Sequence, residues 1–305
     1  MRWVIGFVLA AVAVTGFAST FVAGSALTRD YAVSPAVLSF LRFLAAGGAL
    51  LAFEAASPSG RRALRVPAKT NWFAFCLLGA TGTSVMAWCV FAGCQRVGTA
   101  NASLADALAP LMIFLATAFR SRHVGWSGVI GLLCGFIGAL LVIKVVTADG
   151  FNLETYSTGD LYILLAALTW AIYTVWGRAC VARMGSAAFS VWTMLAGAAI
   201  MGLVLPFGDF VWPRTPQTWG LVGVLAICST LIPYWAWNAA QKYLPLTVLG
   251  VSAYFTPVAA VALAVLFRGE SATGLQWAGT FFICAAACVE THRMRGAARK
   301  DGAQT

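Results

Sequence analysis

The chain has very little charge and few of the residues that bind metals or phosphates. Only 10% of its 305 residues are charged, whereas soluble domains average about 25%. It has only two histidines, His123 and His292, and no His-Glu-x-x-His or Cys-x-x-Cys motif. None of the four lysines follows a glycine, so the phosphate-binding Gly-Lys-Ser/Thr sequence is absent. We therefore expect no ATP-driven pump in this chain, no metal centre and no cofactor.

What the chain does contain is apolar sequence. Hydrophobic residues make up 61%, mean hydropathy is +0.84, and there are 30 glycines and 12 tryptophans. This composition is typical of helices packed in lipid with aromatic rings at the membrane surfaces. The net charge of +10 lies in short connections between apolar runs. That placement indicates membrane orientation rather than nucleic-acid binding, so we expect membrane lipid as a partner and no nucleic acid.

Ten hydrophobic segments are each close to the ~20 residues that a membrane helix needs. They cover residues 3–27, 35–56, 71–94, 98–119, 124–146, 159–182, 187–208, 217–241, 245–267 and 273–292. The sequence thus predicts an all-α polytopic membrane protein with ten transmembrane helices. Two alternatives stay open: a cleaved signal peptide at residues 3–27, and a re-entrant hairpin around residues 95–97.

The basic residues predict the orientation. An even number of spans places both termini on one side of the membrane. Fourteen Lys and Arg residues fall on that side and five on the other, and Arg42 lies within a span. Positive residues are enriched in cytoplasmic loops, so both termini are predicted to be cytoplasmic.

The two halves of the chain share a spacing. Phe119-Arg120 and Phe267-Arg268 each precede a glycine (Gly131, Gly279) by the same ten-residue gap, and Trp88 and Trp235 precede Pro110 and Pro257 by 22 residues. This predicts a first repeat over residues 3–146, a second over 159–292, and a cytoplasmic tail at 293–305. Because five spans are an odd number, the repeats would be inverted. Such repeats are typical of carriers that work by alternating access.

These features resemble the EamA-type members of the drug/metabolite transporter superfamily. The likeness rests on the segments 165–173 (LAALTWAIY), 39–44 (SFLRFL), Gly269-Glu270 and 276–279 (QWAG), and on Pro110 and Pro257. Within the family, segments 235–238 and 254–258 are most similar to bacterial aromatic amino-acid exporters. The chain departs from the pattern in two places: Gly16 stands where the second repeat has Trp170, and Arg122-His123 has no matching glutamate. The resemblance implies a secondary transporter of a bacterial inner membrane, with no cofactor.

Two ionisable residues, Arg42 and Asp106, lie well inside predicted spans, each about 10–12 Å into the bilayer. A lone charge at that depth costs at least ~2.5–3.5 kcal/mol. Arg42 could hold a substrate carboxylate, and Asp106 could bind an amine or a proton. Alternatively, the two form a structural ion pair that never meets substrate, or each reaches separately for the membrane surface.

Aromatic and amide side chains form the second candidate set. Trp170 and Tyr173 share one face of the sixth span, and Tyr234 and Asn238 share one face of the eighth. Aromatic faces can hold flat or cationic solutes, although packing and lipid contact use the same residues. The predicted substrate-binding residues are Arg42, Trp88, Asp106, Trp170, Tyr173, Tyr234, Asn238 and Tyr254.

Prolines and glycines suggest where helices bend and pack. Pro110 and Pro257 interrupt the fourth and ninth spans, and are predicted as gates or as packing features. Small residues at 128, 131, 135 and 138 form a stripe on the fifth span that favours close packing, within a monomer or a homodimer.

The leading functional hypothesis is a secondary transporter of a small organic metabolite. Its expected activity is the export of aromatic or hydrophobic amino acids. The alternatives are a carrier for another metabolite or a drug-like cation, and more remotely an intramembrane enzyme. A channel would need a continuous polar stripe, which the sequence does not show.

Overall fold

The computed structural model describes residues 2–65, 72–96, 109–113, 115–116, 126–142, 146–147, 150–151, 158–268, 274–275 and 277–285. Within these ranges the protein is almost entirely helical. The helices are α1 (Arg2–Asp30), α2 (Pro35–Ala55), α3 (Pro58–Ala63), α4 (Trp72–Arg96), α5 (Trp126–Val142), α6 (Thr158–Met184), α7 (Ser186–Phe207), α8 (Pro216–Ala240), α9 (Leu246–Ser252) and α10 (Phe255–Arg268). Residues 109–113, 115–116, 274–275 and 277–285 are also helical.

Six of these helices are long and apolar enough to cross a membrane: α1, α2, α4, α6, α7 and α8. They coincide with the predicted spans one, two, three, six, seven and eight, which confirms a polytopic helical membrane protein. The ninth predicted span is divided between α9 and α10. The fourth lies mostly outside the described residues, so the ten-span repeat stays a prediction.

One small feature departs from the all-α prediction. Val146–Thr147 and Gly150–Phe151 form an antiparallel pair of two-residue strands. The pair lies at the connection between the two halves of the chain. Strands this short leave the helical fold class unchanged.

Local sequence explains where several helices begin. Pro35 and Pro216 occupy first-turn positions of α2 and α8, where a missing N–H costs nothing. Thr215 and Thr218 form a capping box, in which each side chain bonds the other residue's backbone N–H. Gly185 separates α6 from α7. Its φ of +90° is a backbone conformation that residues with a side chain rarely adopt.

The helix α1 ends in a π-helical segment at Ala26–Asp30, and two other long helices are interrupted by such a segment in their interior, α4 at Ala80–Val85 and α8 at Ile227–Leu231. The first residues of the two interior segments are 147 positions apart, which is also the separation of Trp88 from Trp235 and of Pro110 from Pro257. Hydroxyl side chains bond the widened turns: Thr83 donates to the carbonyl of Gly79, and Thr230 donates to that of Leu225 at 2.7 Å. Such widened turns occur frequently at functional sites.

Helices from the two halves of the chain pack against each other around a buried aromatic centre. α2 lies along α7, α1 along α8 and α10, and the second half of α4 along α6. The largest fully buried side chains include Trp237, Arg42, Tyr173, Tyr234 and Tyr254. The outer surface carries exposed apolar side chains such as Phe53 and Phe73, as a lipid-facing surface requires.

Candidate functional site

A pocket lies at this centre, between helices of both halves. Its volume is about 60 Å³, several times the ~10–15 Å³ that a single buried water needs. Its lining consists of Phe17, Thr20, Phe21, Arg42, Met86, Val90, Ala109, Ala166, Ala167, Trp170, Tyr234, Trp237, Ala253 and Thr256. The wall is therefore mostly apolar, with a few polar groups, as is usual for a site that binds a small organic molecule.

Four aromatic rings form one wall of the pocket. The ring of Phe17 lies 5.2 Å from that of Trp170, 5.5 Å from that of Tyr234 and 6.0 Å from that of Trp237, in edge-to-face arrangements. Trp170 also contacts Tyr234 edge-on at 5.3 Å. These mutual contacts fix the rings, so they present a pre-formed apolar surface to a flat solute.

Small side chains line other parts of the pocket. Ala109, Ala166, Ala167 and Ala253 contribute single methyl groups. Ala166 and Ala167 precede Trp170 on α6 by one helical turn. The same helix therefore lines the pocket with both small side chains and an aromatic ring. The alanines leave the space that larger side chains would fill.

Among the described residues that line the pocket, Arg42 is the one with a charged side chain, and it is only 2% exposed. Its Nε donates to Thr230 Oγ1 at 2.8 Å, and its Nη2 donates to the carbonyl of Ser229 at 3.1 Å. Both acceptors belong to the π segment of α8. Asp106 lies outside the described residues, so the predicted Arg42–Asp106 ion pair stays a prediction.

Tyr234 makes the corresponding contact with the other π segment. Its hydroxyl donates to the carbonyl of Gly82 in α4 at 2.7 Å, while its ring lines the pocket. A π turn leaves backbone carbonyls free for other donors, and here side chains from α2 and α8 take them. The two interrupted helices are thus tied directly to residues that line the pocket.

Tyr173 and Asn238 lie behind the pocket wall rather than on it. The Asn238 amide donates to Tyr173 Oη and to Ser190 Oγ, both at 2.8 Å, and it accepts from Gln241 at 3.1 Å. Tyr173 stacks on Trp170, with ring centroids 5.3 Å apart. This network joins α6, α7 and α8 and supports the aromatic wall from behind.

The other predicted site residues that the structure describes are not among those that line the pocket. Trp88 packs edge-on against Tyr162 at 5.2 Å. Tyr254 is fully buried and donates to the carbonyl of Leu132 at 3.1 Å. Pro110 is buried beside the lining residue Ala109, and Pro257 follows Thr256 in α10. The structure thus groups Arg42, Trp170 and Tyr234 at the pocket, with Tyr173 and Asn238 immediately behind them.

The sequence did not predict most of the residues that line the pocket. Phe17 and Phe21 are one turn apart on α1, as are Met86 and Val90 on α4, and Tyr234 and Trp237 on α8. Helical spacing could have grouped these pairs, because residues three or four apart share a face. In an apolar membrane helix, however, every face carries apolar residues, so the spacing does not reveal which face lines a cavity.

Comparisons with known proteins agree with this architecture. The model of the EamA-like transporter family matches residues 4–144 and 157–290. The uncharacterized transporter YdfC of Bacillus subtilis is 28% identical over 81% of this chain and 78% of its own length. The aromatic amino acid exporter YddG of Ancylobacter novellus is 28% identical over 85% of this chain and 88% of its own length. A solved crystal structure superposes with a TM-score of 0.76 at 26% identity, covering 93% of this chain and 96% of the other.

The family and these relatives indicate a transporter embedded in a membrane, with a small molecule as its substrate, rather than an enzyme. The family match covers both halves of the chain and includes every described residue that lines the pocket. The chain belongs to the EamA-like transporter family.

Proposed function

We propose that the protein is a secondary transporter that exports aromatic or other hydrophobic amino acids across a bacterial inner membrane. It does so by alternating access between two inverted five-helix repeats, with both termini in the cytoplasm. The observation that carries the proposal is the aromatic-walled pocket enclosed by helices of both halves. A solute bound there would be released to either side as the halves rock against each other.

The pocket chemistry supports an amphipathic solute. Phe17, Trp170 and Trp237 offer ring faces and edges to a flat apolar group, while Arg42, Thr20 and Thr256 offer polar atoms. An aromatic amino acid combines both features in one small molecule. The likeness to an aromatic amino acid exporter, at 28% identity, favours the same substrate class.

A carrier for a drug-like cation is the second candidate, because an aromatic wall also attracts cations through the faces of its rings. Arg42 on the same pocket opposes this candidate, since like charges repel. The sequence offers Asp106 as the group that would favour a cation. Substitution of Asp106 therefore discriminates between the two candidates.

The test is counterflow in proteoliposomes loaded with unlabelled solute, using a panel of labelled amino acids and organic cations. We expect phenylalanine, tyrosine or tryptophan to exchange, and exchange of at least one of them to persist in Asp106→Asn. Liposomes without the protein, and proteoliposomes loaded with glutamate, serve as controls.

Absence of exchange for every amino acid would refute the proposed substrate class. Exchange of cations that Asp106→Asn abolishes, while amino acids never exchange, would establish the second candidate instead.

A further inference from the structure

The geometry points to Arg42 as the binding site for the carboxylate of an aromatic solute in this pocket. This inference rests on the proposed function, because it names the chemical group by which the carried solute would be held. Its basis is the arrangement of the guanidinium: one edge is bound to the protein, two aromatic rings lie close to it, and the residue lines the pocket.

One edge of the guanidinium is already used. The Nε and Nη2 atoms, which lie side by side, donate to Thr230 Oγ1 and to the carbonyl of Ser229. A guanidinium carries five N–H groups, of which these two bonds use two. Within the described part of the chain, the Nη1 group and the second N–H of Nη2 have no protein acceptor. Together they form the other edge, a two-donor fork that matches the two oxygens of a carboxylate.

The rings beside the guanidinium limit how a ligand can reach it. The guanidinium carbon lies 4.9 Å from the ring centroid of Phe43 and 5.4 Å from that of Phe91. Both phenylalanines are fully buried. These rings occupy space near the group, and because Arg42 lines the pocket, a solute in the pocket can approach the guanidinium.

Burial makes an anionic partner favourable. The side chain is almost completely removed from solvent, and a buried cation is stable only when an anion or several acceptors compensate it. The two acceptors on α8 are neutral. A bound carboxylate would supply the compensating charge and would bind through charge-assisted hydrogen bonds.

The aromatic wall lies beside this cation. Phe43 contacts both the guanidinium and, at 5.5 Å between ring centroids, Tyr234. Tyr234 in turn contacts Phe17 and Trp170. A flat acid can therefore place its carboxylate on Arg42 and its ring against the wall within one pocket.

The test compares four probes with the same phenyl group and different charge: phenylacetate, phenylalanine, phenylacetamide and phenethylamine. Binding is measured by quenching of tryptophan fluorescence, with the full-length protein in lipid nanodiscs. We expect the two carboxylates to bind the wild type at least about tenfold more tightly than the amide and the amine, as one charged hydrogen-bonded pair provides. Arg42→Gln should abolish this difference.

Two further variants separate charge from folding. Arg42→Lys keeps the charge but loses the fork, so it should retain a smaller preference for carboxylates even if Arg42→Gln does not fold. Arg96→Gln is the matched control: Arg96 lies on Tyr162 at the end of α4, away from the pocket lining, and its loss should leave the preference unchanged.

The outcomes distinguish the inference from the proposed function. If all four probes bind the wild type equally, the inference is overturned while the aromatic pocket stands. If carboxylate preference arises only in Asp106→Asn, then Asp106 neutralises Arg42 in the wild type, and the inference is again overturned. If none of the probes binds, the proposed aromatic substrate fails together with it.

Discussion

Gly82 packs very closely against the aromatic centre beside the pocket. A Cβ atom at this position would overlap the ring of Tyr173, and the carbonyl of Gly82 accepts the hydrogen bond from Tyr234. One small residue thus permits the close approach of α4 to the aromatic centre. Any larger side chain would displace rings that either line the pocket or support it.

We therefore expect Gly82→Ala to destabilise the protein by about 1–3 kcal/mol through overpacking. Gly48→Ala is the matched control, because nothing lies within 4 Å of a Cβ added there. Alanine should be tolerated at position 48 or stabilise α2 by up to ~1 kcal/mol. Thermal unfolding of the two variants in the same detergent measures the difference, and equal unfolding temperatures would show that the rings can move aside.

Arg42 and Asn238 illustrate what the sequence could and could not reveal about individual residues of the candidate site. Arg42 was predictable because a charge inside an apolar span requires an explanation, and it lines the pocket. Asn238 was predicted because it shares a helix face with Tyr234 and could bind a polar group, yet its amide is satisfied by Tyr173, Ser190 and Gln241 behind the wall. Polarity within a span marks a buried position, but only the three-dimensional packing tells whether neighbouring side chains or a solute will pair with it.

At the scale of the element, the π segments of α4 and α8 stand out. Each is bonded by a side chain from another helix: Arg42 of α2 reaches the segment in α8, and Tyr234 of α8 reaches the segment in α4. The sequence predicted both helices but neither interruption. Helical periodicity does not encode a single widened turn, whereas the equal spacing of the two segments becomes visible once the structure places them.

Thr230→Val tests how α2 and α8 are joined. Valine matches threonine in shape, but it would remove the acceptor of Arg42 Nε and leave a buried N–H of a cation unpaired. The expected loss of stability is about 1–3 kcal/mol. Thr169→Val provides the control: its hydroxyl bonds carbonyls of its own helix α6, at Leu165 and Ala166, so its loss leaves no group of another helix unpaired and should cost less than the loss of Thr230.

Chemical denaturation of both threonine variants, monitored in the same lipid or detergent, gives the comparison. A Thr230→Val protein as stable as Thr169→Val would mean that another acceptor replaces the hydroxyl, and that the contact between α2 and the π segment contributes little.

For the whole molecule, the sequence predicted the class of protein better than its site. Length, hydropathy and basic-residue placement indicated a polytopic membrane protein, and six predicted spans coincide with described helices. The same patterns could not show which faces meet at the centre, because packing in lipid is not driven by a contrast between apolar and polar surfaces. The site emerges only from the way α1, α2, α4, α6, α8 and α10 come together.

If the protein transports as proposed, the carried solute binds in the pocket between the two halves. Two tryptophans allow a direct test: Trp170 lines the pocket, whereas Trp235 is 38% exposed on the outer surface of α8. The decisive measurement is the initial rate of phenylalanine counterflow in proteoliposomes that contain equal amounts of Trp170→Ala or Trp235→Ala protein. We expect Trp170→Ala to lower the rate about tenfold or more, as loss of a buried aromatic contact implies, and Trp235→Ala to keep most of it. Equal rates in the two variants, or a selective loss in Trp235→Ala, would contradict the account.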